Sequence, residues 1–207
     1  FPYTSDIDVK QINYDTEKAK ELLDAAGWKL PNGKTVREKD GKPLEFSLMY
    51  DSAESIQKTM AETLQAEWAA IGVKLNLEGV ELATQVKRFK ANEFDMNFFS
   101  NYGAPYDPHT FLNIVASKGF GFNEAISAYP NKDELIKQMA KVPQTTDEKE
   151  RQELYSSILK SLQAQGAIVP VSYIKKTAIY QKNITDFTFP ANRDEHPFTG
   201  IRVKQQH

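Results

Sequence analysis

A chain of 207 residues, 40% hydrophobic and 26% charged with only 10 Gly and 10 Pro, excludes disordered, collagenous and low-complexity classes and is long enough to bury a substantial core. Its 26 Lys and Arg against 28 Asp and Glu leave a net charge of −2, which offers no field to nucleic acid or an anionic membrane. Zero Cys removes disulfides, thiolate metal sites and cysteine nucleophiles, and no apolar run reaches the ~18 residues that span a bilayer. The chain opens at Phe1 with neither Met nor a leader-type apolar run, so a processed chain or a portion of something longer is expected.

Tyr14–Trp28 (YDTEKAKELLDAAGW) reads as a short amphipathic helix: Asp15 caps it, Ala19, Leu22, Leu23 and Ala26 share one side, and Gly27 takes the left-handed stop. Asn32-Gly33 and Asp40-Gly41 mark turns around Lys34–Lys39, which predicts a hairpin leading into a strand over Leu44–Tyr50. Asp51 or Ser52 then caps a helix whose Ile56, Met60, Leu64, Trp68 and Ile71 recur at near-helical spacing up to Gly72. Val73, Leu75 and Leu77 alternate as a strand, Leu82, Val86 and Phe89 stripe a short helix, and Phe94–Phe99 reads as a third strand. The β-α-β-α-β order predicts an α/β lobe whose sheet is joined by right-handed crossovers and flanked by helices.

Ser100–Pro130 is loop-rich, with helix expected only near Thr110–Ala116, and long irregular stretches tend to be functional. Helices follow over Asp133–Lys141 and from a capping box Thr145-x-x-Glu148 to Gly166, the second carrying Leu154, Tyr155, Ile158, Leu159 and Leu162. Ala167–Tyr173 (AIVPVSY) predicts an edge or crossing strand because Pro170 withholds a donor, and Thr177–Gln181 predicts another. From Lys182 onward the pattern is too irregular to close a core of its own.

Nucleophile-elbow, P-loop, dinucleotide and zincin patterns are absent; Gly119-Phe-Gly121 lacks the third Gly of a phosphate cradle. His109, His196 and His207 have no metal-ligand partner at helical spacing, and Asp194-Glu195-His196 reads as a solvated loop. Lys87, Arg88 and Lys90 form a short basic face without interleaved aromatics, and Asp147, Glu148 and Glu150 complement a helix N-terminus. A hydrolase built on Asp107 and His109 would need an activated nucleophile that the sequence does not offer. Ser100–His109 (SNYGAPYDPH) is different, since it leaves the third strand of the βαβαβ unit, where open α/β sheets bind ligands. Gly103 permits a tight bend while Pro105 and Pro108 stiffen the backbone, so Tyr102 and Tyr106 either line a cleft or pack the loop onto its own domain.

This loop, with YDTEKAKELLDAAGW upstream and AIVPVSY downstream, resembles the solute-binding proteins of peptide and nickel ABC transporters (family 5) over nearly the whole chain. YGAPYDPH is similar to the nickel-type branch. The resemblance implies residues 1–181 as the α/β lobe, with a mixed sheet, of a two-lobed periplasmic binding protein-like fold. It implies residues 182–207 as a tail returning to the other lobe, with Pro170 near the hinge. It also implies a monomeric, non-enzymatic receptor, periplasmic or lipid-anchored on the outer face of the cytoplasmic membrane, delivering nickel or a metal–chelator complex to an ABC permease. A di- or oligopeptide is the alternative solute. The implied ligand-facing residues are Tyr102, Gly103, Ala104, Tyr106 and Asp107: Tyr106 matches the family's Tyr, and Tyr102 stands where Trp is common. Some nickel-type members carry a metal-ligating His shortly after this motif; Asn113–Glu124 contains none, so a metal already wrapped by a small chelator, or a solute that is not a metal at all, is expected, and His109 is expected to support the loop.

Overall fold

Asp15 caps the first helix, α1 (Thr16–Ala25), by accepting the Lys18 N–H at 2.8 Å, and Gly27 takes the positive φ that ends it. The computed structural model describes residues 13–99, 108–172, 177–189 and 198–204. After α1 comes a hairpin, β1 (Glu38–Lys39) and β2 (Lys42–Pro43), turned by Asp40-Gly41 at φ of 52° and 76°. Two central residues at positive φ give the turn that matches strand twist, which is why this Asp-Gly pair was legible as a hairpin.

Next come β3 (Glu45–Asp51), α2 (Ser55–Ala70), β4 (Lys74–Val80), α3 (Leu82–Ala91) and β5 (Met96–Asn97). The three strands are parallel, in the order β4-β3-β5, as the βαβαβ pattern predicts. Leu48 and Leu75 are buried with Ala61 of α2, and Phe46 meets Trp68 edge-on at 6.2 Å between ring centres. Met49, one residue on from Leu48, alternates to the opposite face, where α3 buries Gln85 and Phe89.

Buried Arg37 ties α1, the hairpin and the end of α2 together. Its Nε donates to Ile71 O at 2.8 Å, and its Nη1 donates to Asp24 Oδ1 at 2.8 Å and Trp28 O at 2.9 Å. The guanidinium hydrogen bond holds the Asp24 carboxyl below the usual carboxylate range. Hydrogen bonds from Asn76 and Lys74 do the same for Glu45. Gly72 must be Gly here: its φ is +85°, and a Cβ would lie 2.8 Å from Arg37 Cγ.

A second core belongs to the helices α4 (Pro108–Ala116), α5 (Phe122–Ala125), α6 (Lys132–Lys141) and α7 (Glu148–Gln165). It is built on Leu112, Val115, Ile126, Leu135, Met139 and Ile158, all fully buried. The short ribbon β6 (Ile184–Thr185) with β7 (Arg202–Val203), and a ring cluster in which Phe187 meets Tyr180 at a tilt and Phe189 edge-on, complete the described residues.

Several expectations are corrected. Thr145 does not cap α7: its Oγ1 donates to Lys141 O at 3.0 Å, closing the 3-10 turn Val142–Gln144, and Asp147 caps instead, accepting the Glu150 N–H at 2.8 Å. Asp51 and Ser52 yield the N-cap of α2 to Glu54, because Asp51 Oδ1 takes the Ala53 N–H in the preceding turn. Ile56, Leu82 and Val86 are exposed; apolar spacing fixes which residues share a helix face, not how far the sheet extends beneath it. The third strand is two residues long rather than six. Ala167–Ser172 and Thr177–Gln181 form no strand, since an extended apolar run still needs a partner, and Val169 and Val171 are exposed. Tyr173 lies outside the described residues.

Candidate functional site

All three strands point their carboxyl ends to one edge. The connection leaving β3 passes through α2 to β4 on one side, whereas the connection from β4 crosses through α3 to β5 on the other. Strands whose connections diverge leave a crevice between them, and here it lies between β3 and β5.

At this edge Asp51 ends β3, its N–H donating to Gln57 Oε1 at 3.0 Å, and the Ser52 N–H donates to Val80 O at 2.9 Å. Helices α2 and α3 begin here with Glu54 and Glu81 as N-caps, and neither carboxylate makes a capping hydrogen bond. The rim is therefore acidic through Asp51, Glu54 and Glu81, while first-turn backbone N–H groups face the same edge.

The candidate residues Tyr102, Gly103, Ala104, Tyr106 and Asp107 lie outside the described residues, as do Pro105, Asp194, Glu195, His196 and His207. What is described is how the ends of the 100–107 stretch are held. Phe99, leaving β5, meets Phe122 edge-on at 4.8 Å, and Phe111 of α4 meets the other side of the stretch's anchor, the same Phe122, at 5.7 Å and 88°. Phe99 also touches Phe89 of α3 at 6.5 Å, and Phe89 meets Phe94 at 5.4 Å. An aromatic chain thus joins the sheet layer to the helical layer and fixes both stems of the tyrosine-bearing stretch. No local sequence pattern announces it, because its members come from three helices and from the segments on either side of β5. His109 stands half-buried in the first turn of α4, between those stems.

Gly119-Phe-Gly121 proves to be an internally tied turn rather than a phosphate cradle. The Glu124 carboxylate accepts the N–H groups of Gly119 at 2.8 Å and Gly121 at 3.0 Å, so those donors are already used. Buried Asn123 closes the end of α4, donating to Val115 O at 3.3 Å and Ala116 O at 3.0 Å, and its Oδ1 accepts from Lys132. A Gly-x-x-Glu spacing before a helix was the signal that could have revealed this turn. Among the described residues no group of three or more His, Asp or Glu is placed to hold a metal ion, and no helix is long and apolar enough to cross a membrane.

Residues 1–123 match the family described as bacterial extracellular solute-binding proteins, family 5 Middle. The chain is 35% identical to the nickel-binding periplasmic protein of Escherichia coli over 97% of its length, covering 38% of that protein. It is 31% identical to di/tripeptide-binding protein 1 of Pseudomonas aeruginosa over 89% of its length, covering 33% of that one. Among solved structures, NikA from Brucella suis in complex with Fe(III)-EDTA superposes with a TM-score of 0.93 at 33% identity, over 98% of this chain and 41% of that one. NikZ from Campylobacter jejuni in complex with Ni(L-His) follows with a TM-score of 0.61 at 25% identity, over 76% of this chain and 32% of its own. The chain therefore spans about two fifths of the length of these relatives, or less.

Proposed function

We propose, on the premise that this chain belongs to the bacterial extracellular solute-binding proteins of family 5, that it forms one lobe of an ABC-importer receptor for nickel or a metal–chelator complex. The observation that carries this reading is the 0.93 TM-score over 98% of the chain to a protein solved with a metal chelate, joined to 35% identity with a nickel-binding periplasmic protein. Members of the family are solute-binding proteins, and the mechanism proposed is binding alone: no bond is made or broken. The solute enters the crevice between β3 and β5, Tyr102 and Tyr106 cover one side of it, and a second lobe closes on the other, excluding water. Loop residues Gly103, Ala104 and Asp107 shape that wall.

Residues 1–181 make up the lobe and 182–207 the tail that packs on the second one. Support for a tail that packs elsewhere comes from Phe189, Phe198 and Val203, whose apolar side chains are all exposed. The absence of His from Asn113–Glu124 favours a metal already wrapped by a small organic chelator over a bare ion. The receptor acts as a monomer outside the cytoplasm, periplasmic or lipid-anchored on the outer face of the cytoplasmic membrane, and hands its solute to a permease.

Native mass spectrometry of the complete protein, purified from its own host without chelator dialysis, tests this. A bound mass with the nickel isotope pattern, alone or with an organic chelator, is expected. A ladder of peptide masses would overturn it in favour of a di- or oligopeptide receptor, the reading to which the 31% identity with a di/tripeptide-binding protein points.

A further inference from the structure

The sequence holds a single Asn-Gly pair, Asn32-Gly33, in the loop between α1 and β1. The Lys34 N–H donates to Pro31 O at 3.1 Å and Gly33 has a φ of 76°, which makes Asn32 and Gly33 the central residues of a four-residue turn. Such a turn bonds its outer groups and leaves the amide between its central residues open. The Gly33 N–H has no acceptor among the described residues, and the Asn32 side chain makes no hydrogen bond among them. Both residues are exposed, and nothing lies within 4 Å of where a Gly33 Cβ would stand. The Gly33 nitrogen and the Asn32 carboxamide carbon are therefore neighbours, with no side chain to crowd the nitrogen and no hydrogen bond to hold it. At other asparagines the same encounter is closed off. The N–H after Asn92 bonds to Arg88 O at 2.9 Å, the N–H after Asn183 bonds to Gln181 O at 2.9 Å, and buried Asn123 is engaged at Val115 and Ala116. Asp40-Gly41 shares the open surface, but Asp40 has no amide nitrogen to expel, and the pairs Lys39↔Lys42 and Glu38↔Pro43 hold its turn in a ladder.

We propose that Asn32-Gly33 is a self-modification site, at which the folded chain deamidates without an enzyme. Hydroxide takes the Gly33 amide proton, and the nitrogen bonds to Asn32 Cγ. The Cγ–Nδ2 bond then breaks, and Nδ2 takes up a proton from water and leaves as ammonia. Water opens the resulting succinimide at either carbonyl. Breaking the new bond to Cγ restores the ordinary main chain and leaves aspartate, whereas breaking the bond to the main-chain carbonyl carbon leaves isoaspartate. The balance is one water taken up and one ammonia released, with nothing oxidised or reduced. The product adds a carboxylate to a chain of net charge −2, two residues before Lys34, which already pairs with Glu38. Isoaspartate also routes the main chain through Cβ, lengthening a loop closed by Lys29 and Glu38, whose N–H groups donate to each other's carbonyls at 2.9 and 2.7 Å. Arg37 belongs to that loop, so the change bears on the tie between α1 and the end of α2. Helix α2 ends at the amino edge of the sheet, away from the crevice, so the site stands apart from solute binding.

The test holds the complete folded protein at neutral and at mildly alkaline pH, digests timed samples with trypsin and follows residues 30–34 (LPNGK) by mass spectrometry, with an unincubated sample as the blank. That peptide is expected to gain the mass of an amide exchanged for a carboxyl group and to split into two chromatographic forms, aspartate and isoaspartate. Conversion should rise with pH and proceed about as fast as in the same protein unfolded in urea, because the turn leaves the reacting atoms open. Isoelectric focusing should show the matching acidic shift. Asn32→Gln moves the amide one methylene farther from the nitrogen and should abolish both signals. A peptide 30–34 that keeps its mass in the folded protein overturns the site, whether or not the unfolded protein converts. An acidic shift that persists in Asn32→Gln places the event at another asparagine and overturns the assignment as well. No solute enters the experiment, so either result leaves the receptor reading where it stood.

Discussion

Replacing Phe122 by Leu removes the ring on which both stems of the 100–107 stretch rest, and keeps an apolar side chain in its place. Phe122 makes two edge-to-face contacts, at 4.8 Å with Phe99 and at 5.7 Å with Phe111. Such pairs contribute about 0.5–1.5 kcal/mol each beyond their area, so the substitution should cost about 1–3 kcal/mol. Urea denaturation of the complete protein, with circular dichroism as readout, measures this. A double-mutant cycle isolates the geometry: Phe99→Leu with Phe122→Leu should couple by about 0.5–1.5 kcal/mol. The ring pair Phe111–Phe122, farther apart, should couple less. A coupling between Phe99 and Phe122 within about 0.3 kcal/mol of zero would mean that the rings merely share space and that the stems are fixed by other means. If the junction does position the tyrosines, Phe122→Leu also weakens solute binding without touching the solute, and adding Tyr106→Ala to it costs less than the sum of the two.

Further outcomes follow from the same structure. Gly72→Ala should destabilise by about 2 kcal/mol or more, since its φ of +85° and the Arg37 Cγ at 2.8 Å both oppose a Cβ, and a thermal melt would read the loss. Asp24 is held below the usual carboxylate range chiefly by its hydrogen bond from Arg37. Its stabilisation is therefore complete above the unfolded value of about 4 and lost as pH falls through the lower folded one. Asp24→Asn should flatten the acid limb of a stability-versus-pH curve in that window, and an unaltered limb would deny the clamp. Tyr102→Ala with Tyr106→Ala in the complete protein should lower solute affinity by about 1,000-fold, the scale of two aromatic hot spots. Affinity within twofold of wild type, measured by calorimetry, would return those tyrosines to loop packing.

The parallel βαβαβ unit was legible because two periodicities repeat within it: Val73, Leu75 and Leu77 alternate, and Leu64 and Trp68 recur one helical turn apart before Gly72. Turn chemistry at Asp40-Gly41 and Gly166 was equally direct, since positive φ selects its residues. Pairing was not legible. Ala167–Ser172 looks like a strand by composition, yet a strand exists only where a partner strand lies beside it. The parallel strand order, and with it a shared carboxyl edge, follows from the βαβαβ pattern, but the Phe122 junction and the unpartnered Nε2 of Gln85 were invisible. Phe89 at i+4 from Gln85 marks a buried face, while only the folded surroundings reveal that a polar side chain on that face has no acceptor.

The sheet is unequally fastened. Strands β3 and β4 share seven paired positions, from Glu45↔Lys74 to Asp51↔Val80, whereas β5 joins β3 only through Leu48↔Met96 and Met49↔Asn97, with the Phe98 N–H reaching Met49 O at 3.2 Å. Amide deuteration should divide along that line. Amides of β3 that bond to β4 become labelled only when the whole lobe unfolds, while those of β5 and Phe98 are labelled through a local opening of far lower free energy. The strand that delivers the chain to the crevice is thus held in place more by the rings of Phe94 and Phe99 on either side of it than by its own ladder.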